Sequence, residues 1–298
     1  MDVIIKVLEL LILMAMGFGA VKAKWVDDGG IKGLNSLVVN FSLPCLLIAS
    51  LQRRLTPELT ANLVQTFLWA AISMLAFCAL GWFVLFRKEQ RIMRALLTNQ
   101  LMFSNAAFMG FPILVAAFGE EAMIYGAVYV GVFNLLNWSV SMMLYDKAYM
   151  NLKKLLTIPA MIAVIIGFAL FVCQIFLPEF LQDALSMMGN TTTPLAMFII
   201  GARLTKTRLA DLKDTRLLTI CALRLVVLAA ALWAVLKLAD VPDMVRSVLV
   251  LVTAQPTASV LTIQAESVGA DSALSSKLAA VSTLLSVVTI PLMMLLIG

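Results

Sequence analysis

The 298-residue chain contains no histidine, and only 13% of its residues carry charge. The first absence removes the usual general base of hydroxyl-nucleophile chemistry and the commonest zinc ligand. With no nucleophile beside a base and no intramembrane Asp pair either, protease or transferase chemistry lacks its parts; no enzyme activity, metal or cofactor is expected. The four cysteines, Cys45, Cys78, Cys173 and Cys221, lie inside apolar segments without paired metal-ligand spacing, which makes disulfide and zinc frameworks poor readings. The scarcity of charge argues against a soluble domain.

What is present is oil. Apolar residues make up 62% of the chain, the mean hydropathy is +1.00, and apolar runs of about 20 residues recur, each long enough to cross roughly 30 Å of hydrocarbon. The sequence therefore reads as an all-α, multi-pass membrane protein. The first run continues through Lys22 and Lys24 without a small-residue cleavage site, as a retained helix does and a signal peptide does not. A net charge of +5 would suggest nucleic acid in a soluble chain; here the basic residues sit in short loops and set topology, so no nucleic-acid partner is expected.

Division at the charged loops gives ten expected spans: 2–24, 30–51, 58–86, 92–118, 121–145, 154–177, 181–204, 214–238, 244–266 and 274–297. Lys22, Lys24, Lys32, the Arg87–Arg94 cluster, Lys147, Lys153, Lys154, the Arg203–Arg216 cluster and Lys277 share one side. Lys6, Arg53, Arg54, Lys237 and Arg246 take the other. The positive-inside rule then makes the odd-numbered loops cytoplasmic and puts both termini outside.

An internal repeat is visible. Gly17-Phe18 recurs as Gly167-Phe168, Pro44 as Pro194, and Gly119 in "AFGEEA" as Gly269 in "SVGADS", each pair 150 residues apart. Five spans separate the copies, and an odd number threads the second half upside down relative to the first. Residues 1–150 and 151–298 are thus expected to form two inverted five-helix repeats, an arrangement common among secondary transporters.

In this register Asn105-Ala106 falls opposite Gln255-Pro256, inside "FSNAAFMGFP" of the fourth span and "TAQPTAS" of the ninth. Proline removes a backbone donor and crowds the preceding turn. In hydrocarbon, freed backbone is tolerated only when it is buried in protein or lines a polar cavity. Two breaks in matching positions point to a binding site with half-helix N-termini presenting positive ends to an anion. Pro44, Pro112, Pro194 and Pro256 are the expected helix breaks; packing kinks are the plainer alternative.

The side chains around the breaks carry more than one reading. Asn105, with two donors and an acceptor, suits a carboxylate or a helix–helix hydrogen bond. Ser104, Gln255 and Thr257 would contact a ligand or satisfy the freed backbone. Arg224 lies about two turns inside the eighth span, where a charge is expensive and usually functional; it would attract an anion, snorkel to the interface or hold an internal carbonyl. Asn40, Asn190 and Thr191–Thr193 flank the other prolines and would either close the pocket or pack. Asn134, Asn137 and Trp138 would support the crossover without direct contact. Glu9 could carry a coupled proton, although Lys6 on the same helical face offers a local ion pair.

The stretches "SNAAFMGFPILVAAFG" and "TAQPTASVLTIQAESVGADSALSSKLAAVSTLLSVVTIPL" resemble the auxin efflux carrier family, which includes plant PIN-formed carriers and bacterial malate permeases within the bile acid/sodium symporter superfamily. "NFSLPCLLIAS" and "TPLAMFIIGARL" match its pattern too. The resemblance implies a scaffold of spans 1, 2, 6 and 7, often dimerising, and a transport domain of spans 3–5 and 8–10 whose fourth and ninth helices cross at the substrate. Alternating access would be elevator-like. The loop between spans five and six is short, as in the bacterial members, which suggests a bacterial inner membrane. Gln255 stands where sodium-coupled relatives place an acidic residue, which argues against sodium as the coupling ion and leaves a proton as its rival. The expected function is secondary transport of a small organic anion, malate-like ahead of auxin-like. The alternatives are a non-transporting sensor or binding protein of the same fold and, more weakly, a cation antiporter.

Overall fold

The structure, a computed structural model, describes residues 2–150, 152–205 and 213–297. Apart from one isolated bridge, its regular elements are helical: α1 (Asp2–Lys22), α2 (Asp28–Ser50), α3 (Pro57–Leu85), α4 (Arg91–Met102), α5 (Ala106–Phe118), α6 (Ala122–Tyr145), α7 (Pro159–Val172), α8 (Glu179–Asn190), α9 (Thr192–Leu204), α10 (Thr215–Leu238), α11 (Asp243–Thr253), α12 (Val260–Ser267) and α13 (Ser272–Ile297). Among the described residues, α2, α3, α6, α10 and α13 are long and apolar enough to cross a membrane, and α5 and α7 are shorter apolar helices. Of the expected basic clusters, Lys206 and Arg208 and the side chains of Lys6 and Lys154 lie outside the described residues.

Two expected segments differ from their helices. The sixth, expected over 154–177, is helical only over α7, because Pro159 occupies the first turn, where a missing N–H costs nothing, and residues Leu152–Thr157 form a 3₁₀ turn. The seventh is not continuous. Pro194 cannot donate to the residue-190 carbonyl, and the chain breaks at Thr191, whose hydroxyl donates to the Met188 carbonyl at 2.7 Å.

Wider π-turns accompany two of the prolines. Val38–Ser42 precedes Pro44 and Ala106–Gly110 precedes Pro112, so the helix loosens one turn before the ring would crowd it. Pro112 therefore lies in the first α-turn after the break of the fourth segment, not at the break. In α3 the π-turn Leu80–Leu85 leaves the Trp82 carbonyl to be capped by the Arg94 guanidinium, whose Nε lies 2.6 Å away.

The backbone repeats itself at the sequence interval. Gly119 (φ 77°) and Gly269 (φ 70°) are left-handed, and so are Lys24 (φ 60°) and Gln174 (φ 53°); both pairs are 150 residues apart. The second pair ends α1 and α7 in the same way: the amides of Trp25 and Ile175 each reach back to the carbonyls of Ala20 and Leu170 at 2.9 Å.

The chain forms two compact units. The first comprises Met1–Val64, Ala107–Gly131 and Lys153–Lys206, and the second Gln65–Ala106, Val132–Leu152 and Thr207–Gly298. The first thus gathers α1, α2 and α7–α9, together with the start of α3, nearly all of α5 and the first part of α6. In it, α1 and α9 pack backbone to backbone: a Cβ at Gly17 would fall on the Phe198 carbonyl, and one at Gly201 on the Met14 carbonyl. Gly189 lies 2.9 Å, by the same measure, from the Leu46 Cα. Lipid tails are as apolar as leucine, so such close approach is what drives helix association in a bilayer. Ile31, Val38, Ile199 and Ala202 form the buried core beside it.

The second unit has a different interior. Of the 20 buried polar side chains among the described residues, only Ser42 and Thr192 belong to the first unit, and the other 18 belong to the second.

Candidate functional site

The site is built where α4 and α11 stop. After Met102 the chain turns extended at Phe103 (φ −111°, ψ 119°), and after Thr253 it leaves the helix through Ala254 and Gln255. The two extended stretches meet as an antiparallel bridge between Ser104 and Thr257. The Asn105 amide donates to the Pro256 carbonyl at 2.8 Å, and the Ala258 amide to the Phe103 carbonyl at 3.2 Å. Pro256 thus sits where its missing N–H is harmless and its carbonyl is used. Each break satisfies the backbone of the other, which is how irregular chain survives away from water.

The bridge also sorts the candidate side chains. Ser104 and Thr257 share one face, and Phe103, Asn105, Pro256 and Ala258 the opposite one. The Thr257 amide accepts no help from its own helix; it donates to the Ser282 hydroxyl of α13 at 3.2 Å, and the two hydroxyls lie 3.4 Å apart. Gln255 is 0% exposed and its Nε2 donates to the Leu251 carbonyl at 2.9 Å, capping the end of α11. Thr257 and Ser104 are each 1% exposed, whereas Asn105 retains 7%, the most open of the four. On the Asn105 face, the rings of Phe103 and Phe133 meet edge to face at 5.0 Å.

Arg224 is fully buried and engaged with its surroundings, in the π-turn Leu223–Val227 of α10. That turn packs against α4 and α13, the helix that ends in the first break and the helix that holds the second. Asn134 and Asn137 are buried in α6, in the same unit. Asn40 and Asn190 belong to the first unit. Both are exposed, and the Asn40 amide nitrogen turns back to the Ser36 carbonyl and hydroxyl at 2.9 and 3.0 Å. There the Ser42 and Thr191 hydroxyls join at 2.8 Å, beside the two proline turns. Glu9 is exposed on α1 and is engaged as well.

Several polar residues of the second unit escaped the sequence reading. Gln100 Nε2 donates to the Ser275 hydroxyl at 2.6 Å, and the Thr262 hydroxyl lies 3.2 Å from the same oxygen. This ties α4, α12 and α13 together around the breaks. Gln264 is buried with neither amide atom bonded within the protein, and Gln100 Oε1, Gln255 Oε1 and Thr253 Oγ1 share that condition. The signal was present in α13: Ser275, Ser282, Ser286 and Thr289 recur at helical spacing along a mainly apolar helix.

Interrupted helices that meet through their backbones inside a polar interior define a membrane transport protein with discontinuous spans. The chain belongs to the membrane transport protein family, the auxin efflux carrier family, which matches it over residues 2–152 and 143–294. This is a family of transporters, and the protein is accordingly a multi-pass membrane protein. Comparison with curated proteins finds no match.

Proposed function

We propose that the protein is a secondary transporter for a small organic anion, malate-like ahead of auxin-like, that binds it at the Ser104–Thr257 crossover. The observation that carries this reading is the bridge itself. Two helix breaks at equivalent positions of the 150-residue repeat converge in the unit that holds nearly all the buried polar side chains. Buried amide and hydroxyl groups left without partners cost about 1–3 kcal/mol each, and Gln255, Gln264, Gln100 and Thr253 retain such capacity. A ligand with several oxygen atoms meets that need. Asn105 offers it two donors, the half-helix N-termini at Ala106 and Val260 offer positive dipole ends, and Arg224 supplies the positive charge of the unit's interior.

The ten expected spans as two inverted repeats, with both termini outside and an elevator movement of one unit, complete the reading. The repeated left-handed pairs and breaks at one interval support it. A homodimer in a bacterial inner membrane follows the family resemblance and the short loop at residues 146–154, with a proton or sodium as the coupling ion and Gln255 weighing against sodium.

Uptake of labelled malate into proteoliposomes under imposed potentials and pH gradients tests this. Gradient-driven uptake that falls at least tenfold in Asn105→Ala is expected. If no gradient drives uptake, malate is excluded, and counterflow with indole and monocarboxylic acids decides between another anion and a non-transporting sensor.

A further inference from the structure

Away from the crossover, the first unit carries a cleft of about 220 Å³ where α1 ends, α2 begins and α9 ends. Ile31 and Ala202 line it with apolar surface; Asp28, Lys32, Asn35 and Arg203 supply its polar groups. Both cations are exposed, and Arg203 is not extended at random: its Nη2 donates to Asn35 Oδ1 at 2.9 Å. Asparagine is neutral, so this contact aims the guanidinium without cancelling its charge and leaves most of its five donors for an anion. In the adjoining chain Lys22 and Lys24 precede the carboxylates of Asp27 and Asp28. Asp27 is committed to the Gly30 amide at 2.7 Å as the cap of α2, and Asp28 is engaged too.

The level of the cleft in the bilayer is marked by its neighbours. Trp25 is 84% exposed in the connection between α1 and α2, Phe18 is exposed about two turns earlier in the chain, and the Lys22 ammonium lies 5.8 Å over the Phe18 ring. An exposed tryptophan, with a lysine reaching over an aromatic ring, is the signature of the headgroup zone. A basic cleft between helix ends at that depth, on the side expected from the sequence to be richest in Lys and Arg, matches the phosphodiester of an anionic membrane lipid in charge, and its apolar lining matches the first carbons of the chains.

We propose that this cleft binds the headgroup of an anionic phospholipid, with Lys32 and Arg203 on the phosphate and Asn35 positioning the arginine. The lipid would hold together the ends of α1, α2 and α9, and the site is independent of the substrate reading because the crossover residues lie in the other unit.

Native mass spectrometry of the purified full chain in detergent, titrated with dioleoylphosphatidylglycerol or dioleoylphosphatidylcholine, tests the assignment. Retention of the anionic lipid should exceed that of the zwitterionic one. Lys32→Gln and Arg203→Gln should each lower the preference about fivefold, and Asp28→Asn should raise it by a similar factor. Lys237→Gln, whose ammonium sits 4.7 Å over Trp233 in the other unit, should leave it unchanged. Lys32 is at the exposed rim, so its variant reads the site even where Arg203→Gln folds poorly. Equal retention of both lipids, indifference to Lys32→Gln and Asp28→Asn, or an equal loss in Lys237→Gln would overturn the proposal. So would displacement of the lipid by an equal concentration of inorganic phosphate, which would mark a free-anion site. Malate uptake is not the readout, so failure here leaves the transport reading standing.

Discussion

The two units of this protein solve the same problem, holding helices together in oil, by opposite means. The first uses absence of side chain: Gly17, Gly201 and Gly189 let backbones touch, and its hydroxyls mostly bond carbonyls of their own helices, with Ser42 and Thr191 joining across helices. The second interrupts its helices and then repairs them with amides and hydroxyls from neighbouring elements, as Ser282 does for Thr257 and Ser275 for Gln100. Backbone packed on backbone has one arrangement and no slack. Hydrogen bonds between side chains can be exchanged for bonds to a ligand at small net cost, because each is worth only about 1 kcal/mol net. Rigidity and hydrogen-bonding capacity have been separated along the chain, and this contrast supports the proposed reading in which the first unit is the frame and the second the carrier.

The contrast can be broken most severely from the frame side. Gly201→Leu drives a side chain into the Met14 backbone and should cost more than about 3 kcal/mol, seen as loss of the monodisperse peak in detergent. Gly19→Ala on the same helix, where a Cβ would meet nothing within 4 Å, should stay within about 0.5 kcal/mol. A smaller effect is expected inside the carrier. Arg224→Met removes a fully buried, engaged charge while keeping bulk, and uptake should fall to background, with a stability loss of about 3 kcal/mol in thermal unfolding. The finest test applies one chemical change to both units. Ser282→Ala frees the Thr257 amide and should raise the KM for uptake about fivefold, whereas Ser42→Ala should cost about 1 kcal/mol of stability and leave KM within twofold. Equal effects on KM would erase the distinction.

Much of this was readable before any coordinates. The apolar runs, the 150-residue interval and the polar interruptions all come from local composition, and the left-handed glycines at 119 and 269 stand where that interval pairs them. Helix ends were placed within a few residues except around Pro159 and Thr191, where a proline's missing donor shifted the boundary or cut the helix. What could not be read is non-local. Gly17 was recognised as a repeat marker, but nothing in the chain says that its partner is the Phe198 carbonyl. Thr257 and Gln255 were left between ligand contact and backbone repair; the Gln255 side chain caps the Leu251 carbonyl, whereas at Thr257 it is the backbone amide that is repaired, by Ser282. Asn40 bonds within its own helix, to the Ser36 carbonyl one turn back. The Gln100–Ser275–Thr262 set was overlooked because its members lie on three helices and only their meeting gives them meaning.

The link between residues 104 and 257 is a ladder of a single rung, made entirely of peptide groups. No side chain at either position is needed to keep the two strands in register. The register of the crossing is therefore carried by the backbone, with Ser282 of α13 supporting it at the Thr257 amide. Under the proposed reading, a transporter with such a joint changes its cargo by substitutions beside the crossing while the peptide link keeps its register.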